Sequence, residues 1–226
     1  DYLRSEGRSS FGGTFGGGLQ TVKWIIGVNV AVFVLQVLTA RSGIVTEALA
    51  LSPGSVLERV QVWRLVTYAF CHSPFTVWHI FFNMFILWLV GRRLEPRYGS
   101  REFLLFYLGA VVVSGLVYVL LELVLARPGV AIGASGAVAA AFILFAILYP
   151  YEKWLLFFVI PVEVRWLCAA YVIFDIHPVL LELGGAGAGG NVAHAAHLGG
   201  YLFGYLYHAQ HWHLAETFGG IRRLKL

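Results

Sequence analysis

The sequence predicts an all-α membrane protein, built as a bundle of six transmembrane helices with a long first outer loop. The first observation is composition: 59% of the 226 residues are hydrophobic and only 12% are charged, against about 25% charged in soluble domains. The second is that the apolar residues form continuous runs, whereas a membrane β-barrel shows alternating strands of about 10 residues. The third is that basic residues gather between these runs. Together they exclude a soluble enzyme, a disordered chain and a nucleic-acid-binding module.

Six apolar stretches approach the roughly 20 residues that a helix needs to cross a bilayer. The long outer loop separates the first two stretches and runs from Arg41 to about Thr76. The stretch from Tyr151 to Arg165 is apolar but carries four charges and Pro161, so we interpret it as an interfacial loop. The predicted spans are Thr21 to Ala40, Val77 to Val90, Phe103 to Val124, Ile132 to just before Pro150, Trp166 to Leu183 and Val192 to Trp212.

The chain is expected to divide into three parts: a flexible Gly- and Ser-rich tail over 1–20, the six-helix domain over 21–212 and a short basic tail over 213–226. Its orientation follows from Lys and Arg, which are enriched on the cytoplasmic side of membranes. With the N-terminus inside, 12 of the 16 Lys and Arg residues lie on the inner side and 4 on the outer side. Both termini are therefore expected in the cytoplasm.

Polar residues inside membrane helices are costly, and they point to function by default. In this topology the second, fourth and sixth spans all enter from the outer side, and each carries polar residues in its first turns. At a rise of 1.5 Å per residue, these side chains lie within roughly 10 Å of the outer ends. One serine, candidate bases and an amide donor therefore share one layer. They are His79, Asn83, Ser135, His194 and His197.

Ser135 opens the fourth span within the run Gly133-Ala134-Ser135-Gly136. A helix N-terminus presents unpaired N–H groups and the positive end of the helix dipole, which can stabilise an oxyanion beside the hydroxyl. A serine becomes nucleophilic beside a base, and His197 is the candidate. The alternative is a plain packing face, because small residues let membrane helices approach closely. The facing sets would be Gly199, Gly200 and Gly204 on the sixth span and Gly136, Ala137, Ala139 and Ala140 on the fourth.

Other polar residues leave more than one interpretation open. His194 and His197 are spaced like a metal pair, but no carboxylate or cysteine joins them in the sequence and H-E-x-x-H is absent, so no metal is expected. Asp175, near the middle of the fifth span, is either a proton relay or, as we favour, a structural hydrogen-bonding group. Cys71 and Cys168 are far apart and indicate neither a disulfide framework nor a zinc knuckle.

The motifs resemble those of the rhomboid intramembrane serine proteases. The resemblance covers nearly the whole membrane core, from about Trp24 to Trp212, and the motifs occur in the family's order. They are Trp63-Arg64 in the first loop, His79-x-x-x-Asn83 in the second span, Gly91-Arg92-Arg93-Leu94-Glu95 with Tyr98-Gly99 at its end, Gly133-x-Ser135-Gly136 in the fourth span, and Ala196-His197-x-x-Gly200-x-x-x-Gly204 in the sixth.

The resemblance implies hydrolysis of a peptide bond within or beside a transmembrane segment of a substrate protein. Ser135 would be the nucleophile and His197 the general base and acid, forming a dyad without a carboxylate. The oxyanion would be held with help from the Ser135 backbone N–H. The residues expected to support it are His79, Asn83, Gly133 and Gly136.

The resemblance also assigns the surroundings of the site. Trp63 and Arg64 would belong to a first loop that lies partly in the outer leaflet, and Gly200 and Gly204 would be structural. The fifth span and the loop 184–190 would form a mobile gate and cap. The expected partners are transmembrane protein substrates and the lipid bilayer, with no nucleic acid, no cofactor and an open oligomeric state. The expected location is a bacterial plasma membrane.

One position departs from the family pattern. Many members carry an aromatic residue four positions after the nucleophile, packed on the catalytic imidazole, where this chain has Ala139. Phe142 or Tyr201 would then support His197. Ala139 keeps open a second hypothesis, a proteolytically silent rhomboid-like protein that binds transmembrane helices. A third, a transporter or channel lined by histidines and Asp175, is disfavoured because the sequence shows no paired half-repeats.

Overall fold

The computed structural model describes residues 19–157, 159–185 and 194–217, and within them the chain is mostly helical. Several predicted segments lie outside the described residues. These are nearly all of the N-terminal tail, residues 186–190 of the expected cap, the first two residues of the predicted sixth span and residues 218–226 of the basic tail.

The described elements follow the order of the predicted spans, with short helices inserted between the first two. A 3₁₀ turn, Tyr68–Phe70, follows α4. The helices are α1 (Gln20–Leu38), α2 (Ile44–Leu49), α3 (Pro53–Leu57), α4 (Arg64–Thr67), α5 (Val77–Tyr98), α6 (Ser100–Val124), α7 (Ser135–Leu148), α8 (Val164–Leu183), α9 (His194–Ala209) and α10 (Leu214–Thr217), and the strands are β1 (Lys153–Leu156) and β2 (Ile160–Glu163).

Three of the described helices, α1, α6 and α8, are long and apolar enough to cross a membrane. The other three predicted spans correspond to α5, α7 and α9, whose lengths differ from the prediction. The α5 helix starts at Val77 as expected but continues to Tyr98, through Pro96 in its last turn. The α7 helix is apolar but has only 14 residues.

The segment predicted as an interfacial loop, Tyr151 to Arg165, contains two paired strands, which the sequence analysis did not predict, within an otherwise mostly helical fold. Strands β1 and β2 pair antiparallel, from Lys153 opposite Glu163 to Leu156 opposite Ile160. Aromatic and β-branched residues are frequent in this stretch, which favours strands. The Trp154 ring lies 5.5 Å from that of Phe142 and thereby holds the hairpin against α7.

The segment between α1 and α5 is ordered by its short helices and by contacts with the segment that leads into α7. Leu51 and Ala131 form an isolated β-bridge, with N–H···O=C distances of 3.0 and 2.8 Å. Farther along the same segment, the Gly133 N–H donates to the Tyr68 carbonyl at 2.9 Å. The chain that precedes Ser135 is therefore held by the first loop.

The centre of the fold is α7, which contacts α5, α6, α8 and α9. Ten of its 14 residues are buried, and a helix that is apolar on all sides belongs in the interior. Glycines bring α9 close to it: Gly200 lies against the Gly136 carbonyl and Gly204 against that of Ala140, so a side chain at either glycine would overlap α7. Gly199 instead faces α6, where a Cβ would lie 2.9 Å from Val117.

Candidate active site

Ser135 is the first residue of α7, and the backbone just before it has an unusual conformation. Gly133 has a φ of +122°, which L side chains rarely adopt. A Cβ at Gly133 would lie 2.9 Å from His79 Nε2 and 3.7 Å from Ser135 Oγ. Glycine at 133 therefore lets the backbone pass between the imidazole of α5 and the hydroxyl of α7.

The first two predicted site residues are brought into hydrogen-bonding contact. His197, in the first turn of α9, places Nε2 2.7 Å from Ser135 Oγ. This distance is typical of a hydrogen bond that involves a hydroxyl. The glycine contacts between α7 and α9 bring together residues that lie 62 positions apart in the sequence. This geometry permits a proton to pass from the hydroxyl to the imidazole.

A carboxylate that the sequence analysis did not assign to the site lies on the opposite edge of the same imidazole. Asp175 of α8 places Oδ1 2.9 Å from His197 Nδ1 and 2.7 Å from His194 Nδ1. Its other oxygen, Oδ2, accepts a hydrogen bond from the Tyr201 hydroxyl at 3.0 Å. The expectation of a Ser–His pair without a neighbouring carboxylate therefore differs from the geometry.

No sequence spacing could have shown this contact. Asp175 lies 22 residues before His197 and 19 before His194, across the chain reversal between α8 and α9. The usable signal was chemical: an acid in the middle of an apolar span needs partners. The histidines and tyrosine of the following span were candidates for these partners.

Two of the four residues predicted to support the oxyanion, His79 and Asn83, lie on one face of α5 but make different contacts. The His79 ring borders the backbone at Gly133, and its Nδ1 accepts a long hydrogen bond of 3.4 Å from the Ser73 N–H. The Asn83 amide is 7% exposed and donates to the His79 carbonyl at 2.8 Å. The His79 ring therefore borders the backbone that leads into Ser135, whereas the Asn83 side-chain N–H is hydrogen-bonded within α5.

Trp63 and Arg64 belong to the ordered first loop. The Arg64 guanidinium donates to the carbonyls of Glu47 and Ala50, at 2.5 and 2.6 Å, and to Gln61 Oε1 at 2.6 Å. Trp63 precedes α4, and its side chain is exposed. The contacts of Arg64 thus join the short helices of the loop to one another.

The two rings suggested to compensate for Ala139 have other partners. Ala139 is buried in α7. Phe142 stacks on Trp154 and meets the edge of Tyr171, with ring centroids 5.5 and 6.0 Å apart. Tyr201 reaches the site through its hydroxyl, which bonds to Asp175. The support of the imidazole by Tyr201 is therefore indirect.

The acid and the two histidines also form a set that could ligate a metal ion. One ligand atom from each of Asp175, His194 and His197 lies within 4.8 Å of the others. Nitrogen and carboxylate ligands of this kind suit zinc. The sequence argument that no carboxylate joins the histidine pair is therefore wrong. The same three groups are already hydrogen-bonded to one another, and these bonds account for the cluster without a metal.

Comparison with known proteins matches the sequence of this chain to one family. The family model for the Rhomboid domain matches residues 59–213. Rhomboid protein 1, mitochondrial, of Saccharomyces cerevisiae is 31% identical over 205 residues, which cover 89% of this chain and 55% of that protein. Presenilin-associated rhomboid-like protein A, mitochondrial, of Danio rerio is 28% identical over 84% of this chain and 47% of its own length. Rhomboid-like protease 3 of Toxoplasma gondii is 26% identical over 46% of this chain and 40% of its own.

The chain thus spans about half the length of the relatives it matches most extensively. Two of these three relatives are named as mitochondrial proteins. They give no support to the predicted location in a bacterial plasma membrane or to the predicted cytoplasmic termini. The family match covers α4 to α9, which includes Ser135, His197 and the helices that carry them. Since the match extends over more than half of the chain and agrees with the helical membrane fold, this protein belongs to the rhomboid family of integral membrane proteins.

Proposed function

We propose that this protein is an intramembrane serine endopeptidase that cleaves transmembrane segments of other membrane proteins near the outer membrane face. One observation carries the proposal: Ser135 Oγ and His197 Nε2 lie 2.7 Å apart at the start of two tightly packed helices. A nucleophile in hydrogen-bonding contact with a base is the arrangement that covalent hydrolysis of amides requires. Membership in the rhomboid family agrees with this chemistry.

In the proposed reaction, Ser135 Oγ forms a bond to the carbonyl carbon of the scissile peptide while its proton passes to His197 Nε2. The same proton then passes to the amide nitrogen as the C–N bond breaks, and the amine leaves. A water oxygen then bonds to the acyl carbon while one water proton passes to His197 Nε2. The bond between the acyl carbon and Ser135 Oγ breaks, that proton returns to Oγ, and the carboxylic acid product leaves. The oxyanion forms at the N-terminus of α7, where the Ser135 backbone N–H and the helix dipole stabilise negative charge. His79 and Asn83 are the proposed side-chain donors.

The length of α7 explains how such a site could obtain water. Six helices cross the membrane in this proposal: α1, α5, α6, α7, α8 and α9. The 14 residues of α7 extend about 21 Å, whereas the hydrocarbon layer is about 30 Å thick. If the inner end of α7 reaches its membrane surface, Ser135 lies several ångströms below the outer one. Non-helical backbone at that depth is tolerated where it lines a water-filled cavity.

The proposed substrate is a membrane helix that unwinds easily. A peptide bond inside a helix is shielded, because its carbonyl and its neighbours are engaged in helical hydrogen bonds. Glycine, proline and other weak helix formers lower the cost of opening a turn. We therefore propose a preference for transmembrane segments that contain such residues near their outer end.

The first experiment labels the detergent-purified protein with a fluorophosphonate, which reacts covalently with activated serines. We expect labelling of the wild type, and at least a 100-fold loss in Ser135→Ala and in His197→Ala, because each variant removes one half of the pair. The matched controls are Ser42→Ala, an exposed serine of the first loop, and His208→Ala, near the other end of α9. Both should label like the wild type.

Cleavage of a transmembrane substrate in proteoliposomes then tests the reaction itself. The wild type should release both fragments, and Ser135→Ala should release none while its melting temperature stays close to that of the wild type. A folded wild type that binds a transmembrane helix but neither labels nor cleaves would contradict the proposal. That result would favour the silent helix-binding protein instead.

A further inference from the structure

Asp175 is a buried carboxylate whose two oxygens are both engaged by the region around the candidate base. The residue is 2% exposed. Among the described residues, its ion-pair partners are His194 and His197, and no Lys or Arg is paired with it. A buried charge without such compensation is expensive. The Tyr201 hydroxyl and the two imidazole N–H groups therefore have to supply the stabilisation.

These contacts determine which nitrogen of His197 carries the hydrogen. An ionised carboxylate only accepts hydrogen bonds, so the Nδ1 that lies 2.9 Å from Asp175 Oδ1 must donate. A neutral imidazole has one N–H, and Nε2 is then left with a free lone pair that faces Ser135 Oγ at 2.7 Å. This is the tautomer that can take the serine proton.

We propose that Asp175 is a positioning residue for peptide hydrolysis, which fixes the Nδ1–H tautomer and the ring orientation of His197 and stabilises the imidazolium formed when Ser135 attacks. The inference deepens the proposed function and rests on it. Asp175 stays ionised throughout and takes no proton. It departs from the dyad without a carboxylate that the family resemblance implies, because α8 contributes a third side chain.

The carboxylate is itself held from two sides. Tyr201 lies one turn beyond His197 on α9 and donates to Oδ2 at 3.0 Å. His194, one turn before His197, approaches Oδ1 at 2.7 Å. Both partners stand on the helix that carries the base, so the carboxylate keeps its place relative to the imidazole. A further consequence is that the base is correctly oriented only while α8 rests against α9.

The test compares Asp175→Asn with His194→Gln in proteoliposomes, using the full chain and a chelator to exclude metal on the cluster. Asp175→Asn alters all three contacts of this side chain with α9, whereas His194→Gln alters one and leaves the carboxylate against His197. We expect Asp175→Asn to lower kcat by about 10²–10⁴-fold with KM within about threefold. We expect His194→Gln to lower kcat by less than about tenfold. A purely structural role would reduce both activities in step with their melting temperatures.

A spectroscopic measurement tests the tautomer without any variant of Asp175. In wild-type protein labelled with ¹⁵N-histidine, His194 and His197 should both show protonated Nδ1 and bare Nε2 among the eight histidines. The signal that vanishes in His197→Ala identifies His197. A His197 protonated at Nε2 overturns the inference even where Asp175→Asn does not fold.

The possible failures are distinguishable. Ser135-dependent cleavage by the wild type, together with an Asp175→Asn kcat within threefold of it, overturns the positioning role alone. A folded wild type without Ser135-dependent cleavage overturns both the proposed function and this inference.

Discussion

The His72 imidazole lies buried just before α5, where it packs edge-to-face on His79 with ring centroids 4.9 Å apart. Its backbone N–H donates to Gln36 Oε1 of α1 at 2.8 Å, so the residue is tied to the helix core. Burial, and then the nearby His79 ring, lowers the pKa of His72 to about 3. The native protein therefore keeps this histidine neutral at pH values where an unfolded chain would protonate it.

This shift predicts a loss of stability in mild acid. An unfolded histidine has a pKa of about 6.5. Below that pH the unfolded state therefore binds a proton that the native state does not bind. The stabilisation is present above about pH 6.5 and is lost progressively as the pH falls towards 3. Between pH 7.5 and 5.0, His72 should account for about 2 kcal/mol of the fall in unfolding free energy.

Chemical denaturation in detergent at the two pH values checks the prediction. A His72→Phe variant should show a smaller decrease than the wild type by about that amount. The control is His213→Phe, an exposed histidine beyond α9, whose pH dependence should match the wild type. An equal decrease in His72→Phe and wild type would contradict a neutral buried His72.

At the scale of elements, the N-terminus of α1 is held by a carboxylate from the C-terminal end of α5. Glu95 is 3% exposed and accepts from the backbone N–H groups of Thr21 and Val22, at 2.8 and 2.9 Å. The Ser100 hydroxyl donates to the same carboxylate at 2.6 Å. These are N–H groups that a helix leaves unpaired at its start, and a negative charge also suits the dipole there. Glu95 therefore joins α1, α5 and the start of α6.

Replacing this carboxylate should destabilise the bundle without touching the candidate site. Glu95→Ala removes the acceptor for two buried N–H groups, and we expect a loss of about 2–3 kcal/mol. Unfolding monitored by circular dichroism in detergent measures it. Glu58→Gln, an exposed carboxylate in the first loop, is the control and should change stability by less than about 0.5 kcal/mol. A Glu95→Ala variant as stable as the wild type would show that the cap is dispensable.

The α8 helix is held differently from the other long apolar helices. Only 17% of its most apolar 18-residue stretch is buried, whereas 44% of the corresponding stretch of α6 is buried. Its side-chain contacts with other helices and loops include the Asp175 cluster near its middle and, at its end, Glu182, which pairs with Arg127 at 3.1 Å. Because few apolar contacts oppose its displacement, α8 suits the expected role of a gate. Opening it would also withdraw Asp175 from the base.

At the scale of the whole molecule, the surface is strongly apolar. Large side chains such as Trp24, Trp78, Leu120 and Phe174 are more than 60% exposed. Apolar surfaces of this extent are covered by a partner or by lipid. Lipid is the natural cover here, since α1, α6 and α8 are long and apolar enough to cross a membrane.

The proposed six-helix topology predicts that the two ends of α5 face opposite sides of the membrane. Single cysteines in place of the exposed Arg59 and Arg101 should therefore react with an impermeant maleimide from opposite sides of a sealed, uniformly oriented vesicle. The native Cys71 and Cys168 are buried, and burial raises the pKa of the Cys71 thiol to about 12, so background labelling should be low. Labelling of both positions from one side would contradict a membrane-crossing α5.

The sequence by itself determined the class of the protein and its family resemblance, and it indicated the candidate residues of the proposed site. Its scarcity of charge required a lipid environment, and continuous apolar runs required helices. One layer of candidate site residues was singled out by three features: the spacing of His79 and Asn83, the glycines around Ser135 and the motif at His197. These features are local along the chain, because a helix converts sequence spacing directly into direction and depth.

Only the tertiary structure decided which side chains meet. The contact between Asp175 and His197 depends on how α8 packs against α9, and no periodicity encodes the relative placement of two helices. The β-hairpin after α7 likewise depends on the contact between the Trp154 and Phe142 rings. The sequence of this apolar stretch is also compatible with a loop at the membrane surface. The continuation of α5 to Tyr98, which lets Glu95 cap α1, follows from contacts between distant segments. Non-local packing selects among conformations that local sequence leaves nearly equal in free energy.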